Sequence, residues 1–220
     1  MLATLPQKLN VLILYGSLRQ RSYSQLVSFE VARILDHMGA DVKIFNPSGL
    51  PLKDDTTDNH PKVKELRELI AWSDSNFWVS PEQHGQITGV MKTQIDHVPL
   101  SLGSVRPTQG KILAVAQVNG GSQSFNAVNT LRLLGRWMRM HTIANQSSLP
   151  KAWTAFSPDG RFLPSSNRDR LVDVCEEFIK VSCLFYGKTD LFASRWSERK
   201  EKEAKGRLLS QEEKEVKKEH

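Results

Sequence analysis

The chain alternates short apolar runs with stretches of helical periodicity. The runs are LNVLILY (9–15), DVKIFN (41–46), SNFWVS (75–80), KILAVAQV (111–118) and a shorter one near MHTIA (140–144). Helical spacing falls between them at 24–38, 61–73, 87–97 and 125–139, and a last helix covers 168–186. A strand that is apolar along nearly its whole length must be covered on both faces, and helices inserted between such strands supply the cover. Right-handed crossovers then leave few ways to connect the pieces. The expectation is an α/β protein, a flavodoxin-like three-layer sandwich around a five-stranded parallel sheet of order 2-1-3-4-5.

That order fixes where a ligand would sit, beyond the carboxyl ends of the strands at the reversal between strands 1 and 3. Three loops reach that place, 16–24, 80–88 and 119–125, and all are rich in Gly, Ser, Asn and Gln. The first, GSLRQRSYS, has neither the G-x-G-x-x-G of a dinucleotide fingerprint nor a P-loop. It offers Ser17, Ser22, Ser24 and Arg19 at a helix N-terminus, where unpaired N–H groups and the helix dipole favour an anion. A guanidinium pairs bidentately with phosphate, and without a glycine pair to wrap a pyrophosphate, a monophosphate fits better. A helix cap beside a solvated arginine is the plainer alternative.

The second loop, SPEQHGQITG, has Pro81 to fix φ, and Gly85 and Gly89 to allow close approach of a flat ligand. A backbone ledge for a heterocycle and an ordinary turn with a solvated His84 both fit it. The third, VNGGSQSFNA, ends the fourth strand with Gly120 and Gly121 and continues with amide and hydroxyl donors.

Composition narrows the function classes. Thirty basic and 24 acidic residues leave a net charge of +6, dispersed along the chain rather than gathered in a stripe. This suits a phosphorylated small ligand and gives no nucleic-acid surface. The most basic stretch with aromatics, RLLGRWMRM (132–140), reads as an amphipathic helix packed at a subunit interface. There are two cysteines, Cys175 and Cys183. On one helix they stand ~12 Å apart along the axis, too far for a disulfide, and read as plain buried thiols. No nucleophile elbow appears, and the scattered histidines give no metal-ligand spacing. No side chain is therefore assigned as catalytic and no metal is expected; a cofactor would carry the chemistry. The N-terminus lacks the pattern of a signal peptide, and no apolar run is long enough to span a membrane. The expectation is a soluble cytoplasmic enzyme. Its domain occupies 9–187, after an N-terminal extension at 1–8 and before a charged, disordered or frayed tail at 188–220.

The loop GSLRQRSYSQL resembles the phosphate loop of the NADPH-dependent FMN reductase superfamily. More closely, IFNPSGLPLKDD, SPEQHGQITGVMKTQIDHVPLSLGSVRPTQGK and GGSQSFNAVNTLRLLGRWMRMHTIANQSS resemble the arsenical-resistance flavoproteins of the ArsH type. The likeness covers about 9–186. It implies noncovalent FMN, oxidation of NADPH and a homotetramer. It also implies electron transfer to quinones, azo dyes, metal ions or oxygen, and oxidation of trivalent organoarsenicals; a general NADPH:quinone or FMN reductase without an arsenic role is the alternative. By the same resemblance, Ser17, Arg19, Ser22 and Ser24 match the phosphate-binding motif, and Pro81, Glu82, Gln83, His84 and Gly85 the isoalloxazine loop. Gly120, Gly121, Ser122 and Gln123 match the loop flanking the ring. Asp96 matches an acid that follows the ledge, and Arg106 is the candidate for the phosphates of NADPH. Two positions depart from the family pattern, which usually has arginine in place of Gln83 and tryptophan in place of His97. A lost cation near the flavin would lower its potential.

Overall fold

The computed structural model describes residues 8–99 and 106–207, together with Leu209 and Glu213. The strands are β1 (Asn10–Tyr15), β2 (Asp41–Phe45), β3 (Ser75–Gln83), β4 (Gln86–Ile87), β5 (Ile112–Val118), β6 (His141–Thr142) and β7 (Ser147–Leu149). The helices are α1 (Tyr23–His37), α2 (Pro61–Trp72), α3 (Gly89–Asp96), α4 (Asn126–Trp137), α5 (Ser166–Phe185), α6 (Thr189–Ala193) and α7 (Trp196–Lys205). The strands run β2-β1-β3-β5-β6, all parallel, with β7 also paired to β5 and β4 antiparallel to β3. This is the flavodoxin-like three-layer sandwich expected, with β5 in the fourth position.

Pleating sorts the strand side chains into two cores. Val11, Ile13 and Tyr15 join α1 and α5 on one face through Val27, Val31, Leu171 and Phe178. Leu12 and Leu14 join α2, α3 and α4 on the other through Leu66, Met91 and Leu131. Both faces of β1 are thus sealed, which is why its sequence is apolar throughout. Each such side chain contributes about 1.5–3 kcal/mol by leaving water.

The fifth position holds two short strands rather than one. β6 pairs with the amino end of β5, at Ile112↔His141, and β7 with its carboxyl end, at Val118↔Leu149. Between them the chain leaves the ladder, and its backbone groups find side-chain partners. Glu177 of α5 accepts from the amides of Ala144 (2.9 Å) and Asn145 (3.2 Å), while Arg132 donates to the carbonyls of Ile143 (2.9 Å) and Ala144 (3.3 Å). The second loop also differs from a plain turn. β3 runs on through Pro81 to Gln83 and folds back as a hairpin, pairing Glu82 with Ile87 and Gln83 with Gln86. His84 (φ 51°) and Gly85 (φ 72°) form its tip, both in the left-handed region that a two-residue hairpin turn requires.

Inside the segment expected to be a frayed or disordered tail, residues 189–205 carry α6 and α7. Phe192 stacks on Phe185 and tilts against His141, with centroids 5.5 and 4.5 Å apart, and its carbonyl accepts from Gln109 Nε2 at 2.6 Å. Ring contacts therefore cross the boundary drawn at 187/188. The expected N-terminal extension falls almost wholly outside the described residues. Among those residues, no helix is long and apolar enough to cross a membrane.

Candidate functional site

At the carboxyl ends of β1, β3 and β5 lies a cleft of about 790 Å³, within the size range of cofactor sites. Its walls come from all three loops singled out in the sequence: Gly16 to Ser24, Pro81 to Gln83, and Asn119 with Gly120.

The first wall is the turn from β1 into α1. Ser22 is the N-cap of α1 in extended conformation, its hydroxyl accepting from the Gln25 amide and lying 2.8 Å from Ser24 Oγ. Ser24 is fully buried, so its hydroxyl acts through Ser22. Ser17 Oγ accepts from the Arg19 amide at 3.2 Å. The two arginines part ways. Arg21 donates to the carbonyls of Ser157 and Pro158, both at 2.8 Å, and so ties the loop to the turn before α5. The Arg19 guanidinium lines the cleft with no protein acceptor among the described residues. A charged group left in this way beside a capped helix N-terminus is arranged for an anion.

The second wall is the β3–β4 hairpin. Pro81, Glu82 and Gln83 line the cleft, whereas His84 and Gly85 at the tip do not. The Glu82 carboxylate accepts from Ser124 Oγ (2.8 Å), Gln117 Nε2 (2.7 Å) and Asn126 Nδ2 (3.4 Å). Burial pushes this carboxyl up, but the hydrogen bonds from Ser124 and Gln117 outweigh it and hold it below the usual carboxylate value. Glu82 is thus a strut between the second and third walls. Gln117 completes the brace, donating to the Ser124 carbonyl and accepting from the Val128 amide.

The third wall is the turn after β5. Gly120 reaches the cleft; Gly121, Ser122 and Gln123 are exposed beyond it. Asn119, not singled out in the sequence, lines the cleft and bonds through Nδ2 to the Ser122 carbonyl, while its buried Oδ1 has no partner. Thr88 is another such residue: its Oγ1 ties the first wall to the start of α3 and caps that helix. A threonine before G-V-M is an ordinary N-cap signal, and it was available in the sequence.

Two expected site residues lie elsewhere. Asp96, at the end of α3, pairs with Lys92 at 2.6 Å and does not line the cleft. Arg106 precedes β5 and donates to the Trp137 carbonyl where α4 ends, at the amino end of the sheet. The chain enters β5 from that end, which separates Arg106 from the cleft within one chain. The thiols are also remote: Cys175 is fully buried in the core and burial drives its pKa far up, while Cys183 is raised by partial burial. Among the described residues no cluster of His, Cys, Asp and Glu could hold a metal ion.

A doubly wound parallel sheet with a braced cleft at its switch point defines a protein of the flavodoxin-like class, whose ligands bind at that place. Sequence comparison is more specific. Residues 9–154 match the family model for NADPH-dependent FMN reductase. The chain is 60% identical to the NADPH-dependent FMN reductase ArsH of Rhizobium meliloti (strain 1021) over 88% of its own length and 80% of the relative's. It is 58% identical to the protein of the same name from Shigella flexneri, over 86% of this chain and 75% of that one. In shape it is similar to FerB, a flavoenzyme NAD(P)H:(acceptor) oxidoreductase from Paracoccus denitrificans. The TM-score is 0.70 at 18% identity over 79% of this chain and 97% of the other, a likeness of fold. The chain belongs to the NADPH-dependent FMN reductase family and is an NADPH- and FMN-dependent oxidoreductase.

Proposed function

We propose that the cleft holds FMN noncovalently, with the phosphate at Ser17, Arg19 and Ser22 on the N-terminus of α1. The observation that carries this reading is the division of labour between the arginines: Arg21 is spent on two carbonyls, and Arg19 has none. Ser24 supports Ser22, Pro81 to Gln83 and Gly120 border the ring, and His84, Gly85, Gly121, Ser122 and Gln123 shape the turns behind those borders. Bound FMN supplies the two-electron chemistry; the chain binds, orients and excludes water. The net reaction with a quinone takes NADPH, a proton and quinone to NADP⁺ and hydroquinone. No side chain in the cleft is placed as a proton donor, which suits acceptors that draw protons from water.

The likeness to the ArsH relatives supports electron delivery to quinones, azo dyes, metal ions or oxygen, and oxidation of trivalent organoarsenicals as a further activity. A general NADPH:quinone reductase without an arsenic role is the second reading, favoured by the position of both thiols away from the cleft, Cys175 buried and Cys183 partly so. The proposal includes a homotetramer in the cytoplasm, in which Asp96 and Arg106 would serve a neighbouring subunit or NADPH by exchanging their present partners, Lys92 and the Trp137 carbonyl; unpaired cysteines fit a reducing compartment. Anaerobic reduction by NADPH against NADH, followed by stopped-flow reoxidation with quinone, azo dye, oxygen and a trivalent organoarsenical, tests it. NADPH and quinone should give parallel double-reciprocal lines, since both need the same exposed face in turn. Reoxidation by the arsenical far slower than by quinone would select the second reading.

A further inference from the structure

The cleft has an apolar neighbour. Beside it opens a groove of about 160 Å³ lined by Leu18, Pro47, Leu50, Leu52, Gly89 and Val90, with Thr93 at one side. Leu18, Gly89 and Val90 line both, so the groove adjoins the cleft. Among the described residues, no charged side chain lines the groove. Leu18 is 60% exposed and Leu52 79%, a pairing of large apolar groups that is informative only because it flanks a binding cleft.

The outer wall is held in place. His97, fully buried at the end of α3, has its Nε2 2.8 Å from the carbonyl of Pro51, between Leu50 and Leu52. The His97 carbonyl accepts from Arg67 Nε at 3.0 Å, and the other end of that guanidinium pairs with Asp58 at 2.7 Å. Helices α2 and α3 and the loop after β2 are thereby stapled together, and the leucines stand on a fixed support.

We propose that this groove is a subsite of the same active site, receiving the apolar part of the electron acceptor. Its occupant is the alkyl or fused-ring portion of a flat, neutral quinone, and it favours such acceptors over compact, charged ones. The inference rests on the reductase reading above. The groove holds roughly five waters' worth of space at about 30 Å³ each. Those waters lie against apolar walls, and an apolar group that displaces them gains binding. A hydrophobic pocket discriminates by about 10- to 200-fold per methylene group.

Leu52 touches the groove and not the flavin cleft, so it is the position to change. In the holoenzyme, Leu52→Asp should raise KM for 2-methyl-1,4-naphthoquinone about 10-fold while leaving KM for ferricyanide and the rate of flavin reduction by NADPH unchanged. Leu52→Phe should keep the naphthoquinone KM near that of the parent. Equal shifts with both acceptors, or no shift with either, would overturn the proposal. So would a smaller assembly by light scattering, since the groove would then be covered by a second copy of the chain. A failed groove test with NADPH oxidation intact leaves the reductase reading standing. A parent protein that does not oxidise NADPH ends both.

Discussion

Thr88 Oγ1 donates a 2.6 Å hydrogen bond to the carbonyl of Gly16 and accepts from the Met91 amide at 3.2 Å. One hydroxyl thereby fastens the phosphate loop to the first turn of α3, across 72 residues of sequence. Gly16 is required for this closeness: a Cβ there would stand 2.7 Å from Thr88 Oγ1 and 2.9 Å from Met91 Cβ.

Gly16→Ala should therefore destabilise the fold by about 1–3 kcal/mol through overpacking and weaken FMN binding at the same time. Thr88→Val, which leaves the buried Gly16 carbonyl without its donor, should cost a similar ~1–3 kcal/mol. Thermal melts with and without added FMN would check both; an unchanged Tm for either would refute the fastening role.

Arg19→Ala and Arg21→Ala should behave differently although they sit two residues apart. Removing Arg19 takes a charged bidentate donor from the ligand alone, about 2–4 kcal/mol or roughly 30- to 1,000-fold in Kd for FMN. The apoprotein Tm should not move. Arg21→Ala should lower the apoprotein Tm, because the carbonyls of Ser157 and Pro158 lose their donor. Fluorescence titration and melts on both variants decide between this and a shared phosphate role.

The Glu82 strut gives the cleft an acid limit. Its carboxyl lies below the ordinary value in the folded protein, so its contribution is present above the unfolded value of about 4.3 and is lost as pH falls through the folded one. FMN retention should be level from pH 7 to 5 and decline below about 4. Glu82→Gln should release FMN more readily at pH 7 and flatten that acid limb. Retention that fell equally in both proteins would place the titrating group elsewhere.

Lys111 is shifted downward too, but by burial of its charge rather than by hydrogen bonds to it. Burial lowers its pKa to about 8, partly offset by Asp74, and its ammonium donates to the Ile70 carbonyl at 2.6 Å. The unfolded chain holds this proton up to about 10.4. The cost of burying the charge is thus present below pH 8 and fades as pH rises toward the unfolded value. Tm should gain from this group between pH 8 and 10, and Lys111→Met should remove the gain. A parallel pH profile in the variant would contradict it.

His84 occupies a left-handed conformation that a β-carbon disfavours by about 1–2 kcal/mol. His84→Gly should raise Tm and leave FMN affinity unchanged, since the tip does not reach the cleft. A loss of FMN on this change would show that the imidazole has a ligand.

Most elements were legible because their signals are local. Strand runs placed β1, β2, β3 and β5 to within three residues, and helical spacing placed α1 to α4 to within two. The parts that were not legible depend on distant partners. The break between β6 and β7 is satisfied by Glu177, 33 residues from Ala144. Arg19 was singled out from its motif, but the tie of Arg21 to carbonyls more than 130 residues away had no local signal. The hairpin tip uses His-Gly where Asn-Gly would have announced it. Arg106 shows the reverse: its place just before β5 follows from the order of elements, which puts it at the amino end of the sheet.

The broken fifth strand also governs how copies of this chain can meet. An uninterrupted edge strand offers a row of free amides and carbonyls on which another chain can extend the sheet. Here that edge is a two-residue piece and a three-residue piece, and between them the amides of Ala144 and Asn145 are occupied by Glu177 and the carbonyls of Ile143 and Ala144 by Arg132. Edge-to-edge growth on this side has no template, so any assembly there must be made through side chains on helical surfaces.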